Sequence, residues 1–257
     1  MTTAPLVLLG AQRSGTTALA AALDEAFRAV GGVFTINGKL PYVLHRWCTE
    51  QDVRARHLRV DEMLHALRRK PPLGGHRDRW LQVTEEVLRD AAARVAAGRV
   101  PDARSLRRDV VRRAYAWGTR FGDKYNEYLL ELDALEATVP DAHWVLLVRH
   151  PAAVVESVLR WPGDRPWRPV TVEDALCKWI AWHEPWLSHP RTWDTERCTV
   201  LEYGEVCAGP GVATLARVAD LDLAPHTAGL VERPGPPPAR LPADVDAVWR
   251  ALLGRRS

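Results

Sequence analysis

The chain has 257 residues, 47% of them hydrophobic and 26% charged, with a formal net charge of +3, values ordinary for a globular domain with one core. That charge is too small to argue for nucleic acid, although arginines crowd residues 54–79 and 104–113 and would suit the lining of an anionic ligand's site. No apolar stretch approaches the roughly 20 residues of a membrane span, no leader is visible, and the four cysteines form no C-x-x-C pair, so the expectation is a cytoplasmic chain without membrane insertion, disulfide framework or zinc site.

In chain order, Leu6 to Leu9 reads as a buried strand that runs through a Gly/Ser/Thr turn into a helix over Thr16 to Val30, where Leu19, Leu23, Ala26 and Val30 recur at helical spacing. Gly31 and Gly32 end that helix, and the β-branched and aromatic run Val33 to Ile36 suits a second strand. Leu40 to Arg113 is polar, helical in pattern and rich in arginine, broken at Pro71-Pro72, Gly74-Gly75 and Gly98 to Pro101; it reads as a helical insertion over about residues 40–118, on the acceptor side of the sheet. Further on come a short strand (Arg120 to Lys124), a helix (Tyr128 to Thr138), an apolar strand (His143 to Val148) and a helix opened by Pro151 and running through Arg160. Val172 to Leu187 is a helix carrying Trp179, Trp182 and Trp186, Cys198 to Leu201 the last core strand, and Ala213 to Leu221 a helix. A proline-rich arm, Glu232 to Pro242, precedes a closing helix, Ala243 to Leu253. Strands alternating with helices predict one α/β domain over residues 1–257, a central, largely parallel sheet flanked by helices, of the P-loop nucleotide-binding type.

The turn Gly10 to Thr17 has the G-x4-G frame of a phosphate loop in its proper place between strand and helix. Backbone N–H groups of such a turn, with the positive end of the following helix dipole, cradle phosphate or sulfate oxygens. A nucleotide triphosphatase would carry lysine at position 16 and an acid at a strand end to hold magnesium. Here Thr16 stands in place of the lysine, the positive charge has moved to Arg13, and the strand ending at Val148 is followed by Arg149. Where a metal-binding carboxylate is expected there is a second phosphate-binding cation. Ser157, two helical turns beyond, is placed to point back toward the same pocket.

With these motifs in this order, the chain resembles the family of sulfotransferases that use 3′-phosphoadenosine 5′-phosphosulfate (PAPS), particularly its bacterial and tyrosyl-protein branches with an R-S-G-T-T donor loop. Gln12 to Thr17 corresponds to that loop, Arg149 through Ser157 to the 3′-phosphate motif, Gly122 to Asn126 to the G-[DE]-K-[TS]-P segment, and Val200 to Val206 to a strand followed by R-Y-E-D-L. The resemblance implies that Gln12, Arg13, Ser14, Gly15, Thr16 and Thr17 hold the 5′-phosphosulfate, Arg149 and Ser157 the 3′-phosphate, and Lys124 the bridging oxygen or the transferring group. Tyr203 and Arg233 are further donor-contact candidates, and Arg240 another in the proline-rich arm. The product 3′-phosphoadenosine 5′-phosphate (PAP) would leave by in-line displacement without a metal, since positioned cations and amides supply the stabilisation.

The chain departs from the family where a catalytic glutamate or histidine often follows the donor loop, for Val33 to Trp47 contains no acid. His45 is the first choice of base because its unperturbed pKa suits the task. Lys39 would serve if burial or neighbouring cations lowered its pKa, and needs no shift to contact the sulfuryl group. Tyr125 and Asn126 also replace the usual small hydroxyl residue and proline after Lys124. Trp47, Trp80, Trp117, Trp161, Trp167, Trp179, Trp182, Trp186 and Trp193 either line an apolar acceptor cleft or pack the core, and packing is the expectation for most. The implied acceptor is a small molecule such as a natural product, offering a hydroxyl or an amine; alternatives are a non-catalytic binder of PAPS or PAP and a P-loop nucleotide kinase. The oligomeric state stays open, a homodimer among the options.

Overall fold

The computed structural model describes residues 4–163, 168–231 and 240–256. Its strands are β1 (Leu6–Leu9), β2 (Val33–Ile36), β3 (Phe121–Lys124), β4 (His143–Val148) and β5 (Cys198–Glu202), forming one parallel sheet in the order β2-β3-β1-β4-β5. Every residue of β1 and β2 is buried, as continuous apolar runs in a sheet covered on both faces must be. The α/β architecture is therefore the expected one.

The described residues divide into two compact units, those of 4–7 with 23–142 and those of 8–22 with 143–256. The division falls inside β1 and inside α1 (Thr16–Ala29).

In the first unit β2 pairs with β3 in parallel, Thr35 opposite Asp123 and Ile36 opposite Lys124. Its helices are α2 (Leu40–Trp47), α3 (Glu50–Arg54), α4 (Val60–Arg69), α5 (Arg77–Ala96), α6 (Ala103–Tyr115) and α7 (Leu132–Thr138). Tyr115 stacks on Phe121 at 4.6 Å and tilts against Trp80 at 5.8 Å, and Phe27 meets Phe34 edge-on at 5.2 Å. Trp80, Tyr115, Phe27 and Phe34 are fully buried, each contributing on the order of 1.5–3 kcal/mol. The arginine-rich α6 is anchored by ion pairs: Arg113 to Asp90 at 2.5 Å, Arg94 to Asp109 at 2.5 Å, and Arg112 to Asp141 at 3.6 Å. Arg112 and Arg113 of the 104–113 run are thus engaged in ion pairs with acids of other segments.

In the second unit β4 pairs with β5 in parallel, Trp144 opposite Cys198 through Val148 opposite Glu202. Around them lie α8 (Pro151–Leu159), α9 (Val172–Ser188), α10 (Tyr203–Ala208), α11 (Pro210–Ala219), α12 (Ala224–Thr227) and α13 (Ala243–Leu253). Trp144, Trp179 and Trp186 are fully buried, with Arg191 stacked over Trp144 at 4.3 Å. Packing accounts for Trp80, Trp179, Trp182 and Trp186, while Trp193 is exposed beneath Arg255 at 3.7 Å; Trp167 lies outside the described residues.

Several ends shift by a residue or two, and some boundaries differ from expectation by more. The helix expected over Tyr128 to Thr138 is a 3-10 turn (Asn126–Leu130) followed by α7, because Glu131, at φ −134° and ψ 42°, breaks the helical path. A short helix, α10, begins at Tyr203 where none was expected, and α11 starts three residues before Ala213, since Gly209 at φ +107° ends one helix and Pro210 opens the next.

Candidate active site

In the second unit the turn after β1 is shaped by backbone conformations few residues adopt: Arg13 has φ 70° and Gly15 has φ +92°. A Cβ on Gly15 would lie 2.2 Å from Cε2 of Tyr203, so only glycine lets this ring rest on the loop. Gly15 accepts from the amides of Ala18 and Leu19 and so starts α1, whose N-terminal dipole favours an anion. The Ser14 hydroxyl is fully buried yet has no hydrogen-bond partner; Thr16 is buried and Thr17 exposed.

The structure brings the two sequence-distant phosphate motifs together. Arg13 Nε donates to Ser157 Oγ at 2.9 Å, and Arg149 Nη1 donates to the Arg13 carbonyl at 3.4 Å. The Arg149 guanidinium lies 5.2 Å from the centre of the Tyr203 ring, and its Nε is buried without a partner. A buried hydroxyl and a buried guanidinium nitrogen without partners beside a helix N-terminus are donors chemically suited to an anion. Tyr203 is nine-tenths buried and acts as the rest on which Gly15 and Arg149 sit; its hydroxyl is 3.5 Å from the Val231 carbonyl. Gln12 accepts from Lys178 Nζ at 3.0 Å, and that ammonium lies over Trp182 at 5.5 Å. Lys178 is a third cation at the loop that sequence reasoning missed, for nothing in the local pattern of α9 links it to a residue 166 positions earlier. Arg233 lies outside the described residues, and Arg240 is exposed.

In the first unit the organising group is Asp123, also missed. It is 5% exposed and accepts from Thr35 Oγ1 at 2.7 Å, the amides of Gly38, Lys39 and Lys124 at 3.0, 3.1 and 2.8 Å, and Tyr128 Oη at 2.6 Å. Burial pushes its pKa up, and the hydrogen bonds oppose that rise. Asn37 and Lys39 both take left-handed backbone, and a Cβ on Gly38 would strike Thr35 Oγ1 at 2.4 Å and Asp123 Oδ1 at 2.7 Å, so the turn 37–39 is built around this carboxylate.

Lys124, at the carboxyl end of β3, is 2% exposed, and its ammonium donates to Asn126 Oδ1 at 2.7 Å and Asn37 Oδ1 at 3.1 Å. It is no surface ion pair with Asp123. Burial lowers its pKa to about 8. Asn126, which replaces the family's proline, thus supplies the lysine with an acceptor. Lys39 meets the two conditions set for it, since burial first, then the charges of Lys70 and Arg69, lower its pKa; its Nζ donates to the Lys70 carbonyl at 3.0 Å. Lys39 lines a cavity of about 990 Å³ with Tyr42 and Tyr125. His45 does not line it: in the last turn of α2, exposed, its ring sits 3.4 Å from Arg107 and 3.8 Å from Glu131.

Residues 5–224 match the model of the sulfotransferase family. Among solved structures, the sulfotransferase domain from the Synechococcus PCC 7002 olefin synthase superposes with a TM-score of 0.60 at 19% identity, covering 98% of this chain and 95% of that one. The sulfotransferase domain from the curacin biosynthetic pathway does so with a TM-score of 0.50 at 11% identity, covering 98% and 99%. At such identities the likeness is one of fold. No curated protein sequence matches the chain, and among the described residues no helix is long and apolar enough to cross a membrane.

Proposed function

Because the chain belongs to the sulfotransferase family, we propose that it moves the sulfuryl group of PAPS to a hydroxyl of a small-molecule acceptor and releases PAP. The observation that carries the donor assignment is the cluster of Arg13, Arg149 and Ser157 beside the unpartnered Ser14 hydroxyl and Arg149 Nε. In this reading the amides of residues 14–17, with Arg13, hold the 5′-phosphosulfate, and Arg149 with Ser157 holds the 3′-phosphate, the group that separates PAPS from ordinary nucleotides. Lys178 adds charge through Gln12.

The acceptor oxygen bonds to sulfur as the sulfur–oxygen bond to the 5′-phosphate breaks, and PAP leaves with that electron pair. Charge builds on the departing oxygen, where the Lys124 ammonium stabilises it. The acceptor's proton goes to Lys39, favoured over His45 because Lys39 lines the cavity and its pKa is depressed.

Calorimetry with PAP, 5′-AMP and ATP with magnesium tests the donor. Wild type is expected to bind PAP selectively over 5′-AMP, and Arg149→Ala to lose about 100-fold in affinity, the worth of two charge-assisted hydrogen bonds. Preference for ATP with magnesium, or no nucleotide binding, would sink the proposal. Gly15→Ala is expected to lower the Tm by about 5 °C, through left-handed strain and the Tyr203 clash, and to weaken PAP binding as the loop amides shift. Thermal melts with and without PAP check both effects.

A further inference from the structure

The cavity of about 990 Å³ in the first unit lies at the upper end of the range for small-molecule sites. Tyr42, Trp47 and Tyr125 give it an aromatic wall, the two tyrosine rings meeting edge to face at 5.3 Å. Four guanidiniums also line it. Two are committed, Arg59 to Asp52 at 3.0 Å and Arg89 to Glu85 at 2.8 Å. The other two are not: Arg46 lies over the Tyr42 ring at 4.9 Å, and neither Arg46 nor Arg69 forms an ion pair among the described residues.

The cavity also holds two acids, and their position matters. Asp61 and Glu62 occupy the first turn of α4, where the helix dipole favours them, whereas Arg69 ends the same helix, about 12 Å along its axis from Asp61. The cavity is therefore acidic at one end of α4 and basic at the other. The basic end is the one near Lys39, whose ammonium feels the charge of Arg69 and Lys70. An anion there would meet unpaired guanidinium N–H groups and form charge-assisted bonds, while an uncharged ligand would leave them to water.

We propose that this cavity takes the acceptor, and that the acceptor carries an anionic group, a carboxylate or a phosphate, as well as its hydroxyl. Arg69, the uncommitted guanidinium at the basic end, holds the anion, and an apolar or aromatic body rests on Tyr42, Trp47 and Tyr125, with Arg46 over the Tyr42 ring. This inference rests on the sulfuryl-transfer reading above, which supplies the reaction.

The test uses 4-hydroxyphenylacetate, its methyl ester and 4-hydroxyphenyl phosphate, titrated by calorimetry into the full chain with and without PAP. The two anionic probes are expected to bind PAP-loaded wild type at least about tenfold more tightly than the ester, and the better of the two identifies the anion. Arg69→Gln should abolish that difference and leave the ester and PAP affinities unchanged. Equal binding of ester and anions, an equal loss for all three probes in the variant, or no probe binding to PAP-loaded protein would overturn the inference. Loss of PAP binding with the anion preference intact would instead sink the donor reading alone.

Discussion

Lys124→Met is expected to lower kcat about 10²- to 10³-fold at neutral pH, the effect of removing one preorganised donor to a developing charge, without lowering the Tm. The two signs separate a catalytic lysine from a structural one. Burial holds the folded-state pKa of Lys124 at about 8 against 10.5 for a free lysine, a cost of about 3 kcal/mol to the folded protein below pH 8. Between about pH 8 and 10.5 the folded protein gives up this proton before the unfolded chain does, so stability is regained as pH rises. Methionine removes the penalty at similar volume. It also removes one hydrogen bond from each of the half-exposed side chains of Asn37 and Asn126, at about 0.5–1.5 kcal/mol each, and the terms roughly cancel. For wild type, PAPS affinity should fall as pH rises through about 8, because the free protein then loses the ammonium proposed to meet the donor, and proton transfer to Lys39 does not enter this readout. A PAPS affinity that rises through pH 8, or a Tm that falls in the variant while kcat holds, would rule out the charged-lysine role.

How far the sequence alone reached depends on how local each signal is. β1, β2 and β4 begin and end where their apolar runs do, because a strand buried on both faces must be apolar throughout. β5 runs one residue past Leu201, since Glu202 at its end needs only the ladder and not burial. The helices α2–α6 are harder to bound: α6 combines a strongly polar composition with six buried residues, and its arginines answer acids on other elements.

The same rule divides the site. The proximity of Arg13, Arg149 and Ser157 could be anticipated because each motif is contiguous and sits at a strand end, where α/β sheets bind ligands. That of Lys178 could not, since its partner Gln12 lies far away in sequence. Asp123 stood in plain view beside Lys124, yet its role comes from the register that puts Thr35 opposite it and from a glycine turn two residues beyond. Spacing along one strand carries no record of a pairing made with another.

Asp123→Ala is expected to destabilise the protein by about 3–5 kcal/mol, lowering the Tm by about 10 °C, because donors of β3, the turn 37–39 and Tyr128 lose one buried acceptor together. Asp123→Asn is the sharper variant. One amide oxygen still serves Thr35, Gly38 and Lys124, but the amide nitrogen then faces the Lys39 N–H and the Tyr128 hydroxyl. The tyrosine hydroxyl can turn to accept; the Lys39 N–H cannot, and the left-handed turn that presents Lys39 loses its tie. The expected consequence is a kcat reduced by about 10² with PAP affinity nearly unchanged, since the donor contacts proposed above are those of Arg13, Arg149 and Ser157, which Asp123 does not touch. Thermal melts, PAP calorimetry and steady-state kinetics on the asparagine variant decide the matter: equal losses in PAP affinity and kcat would mean general unfolding, and an unaltered kcat would show that the carboxylate positions neither lysine.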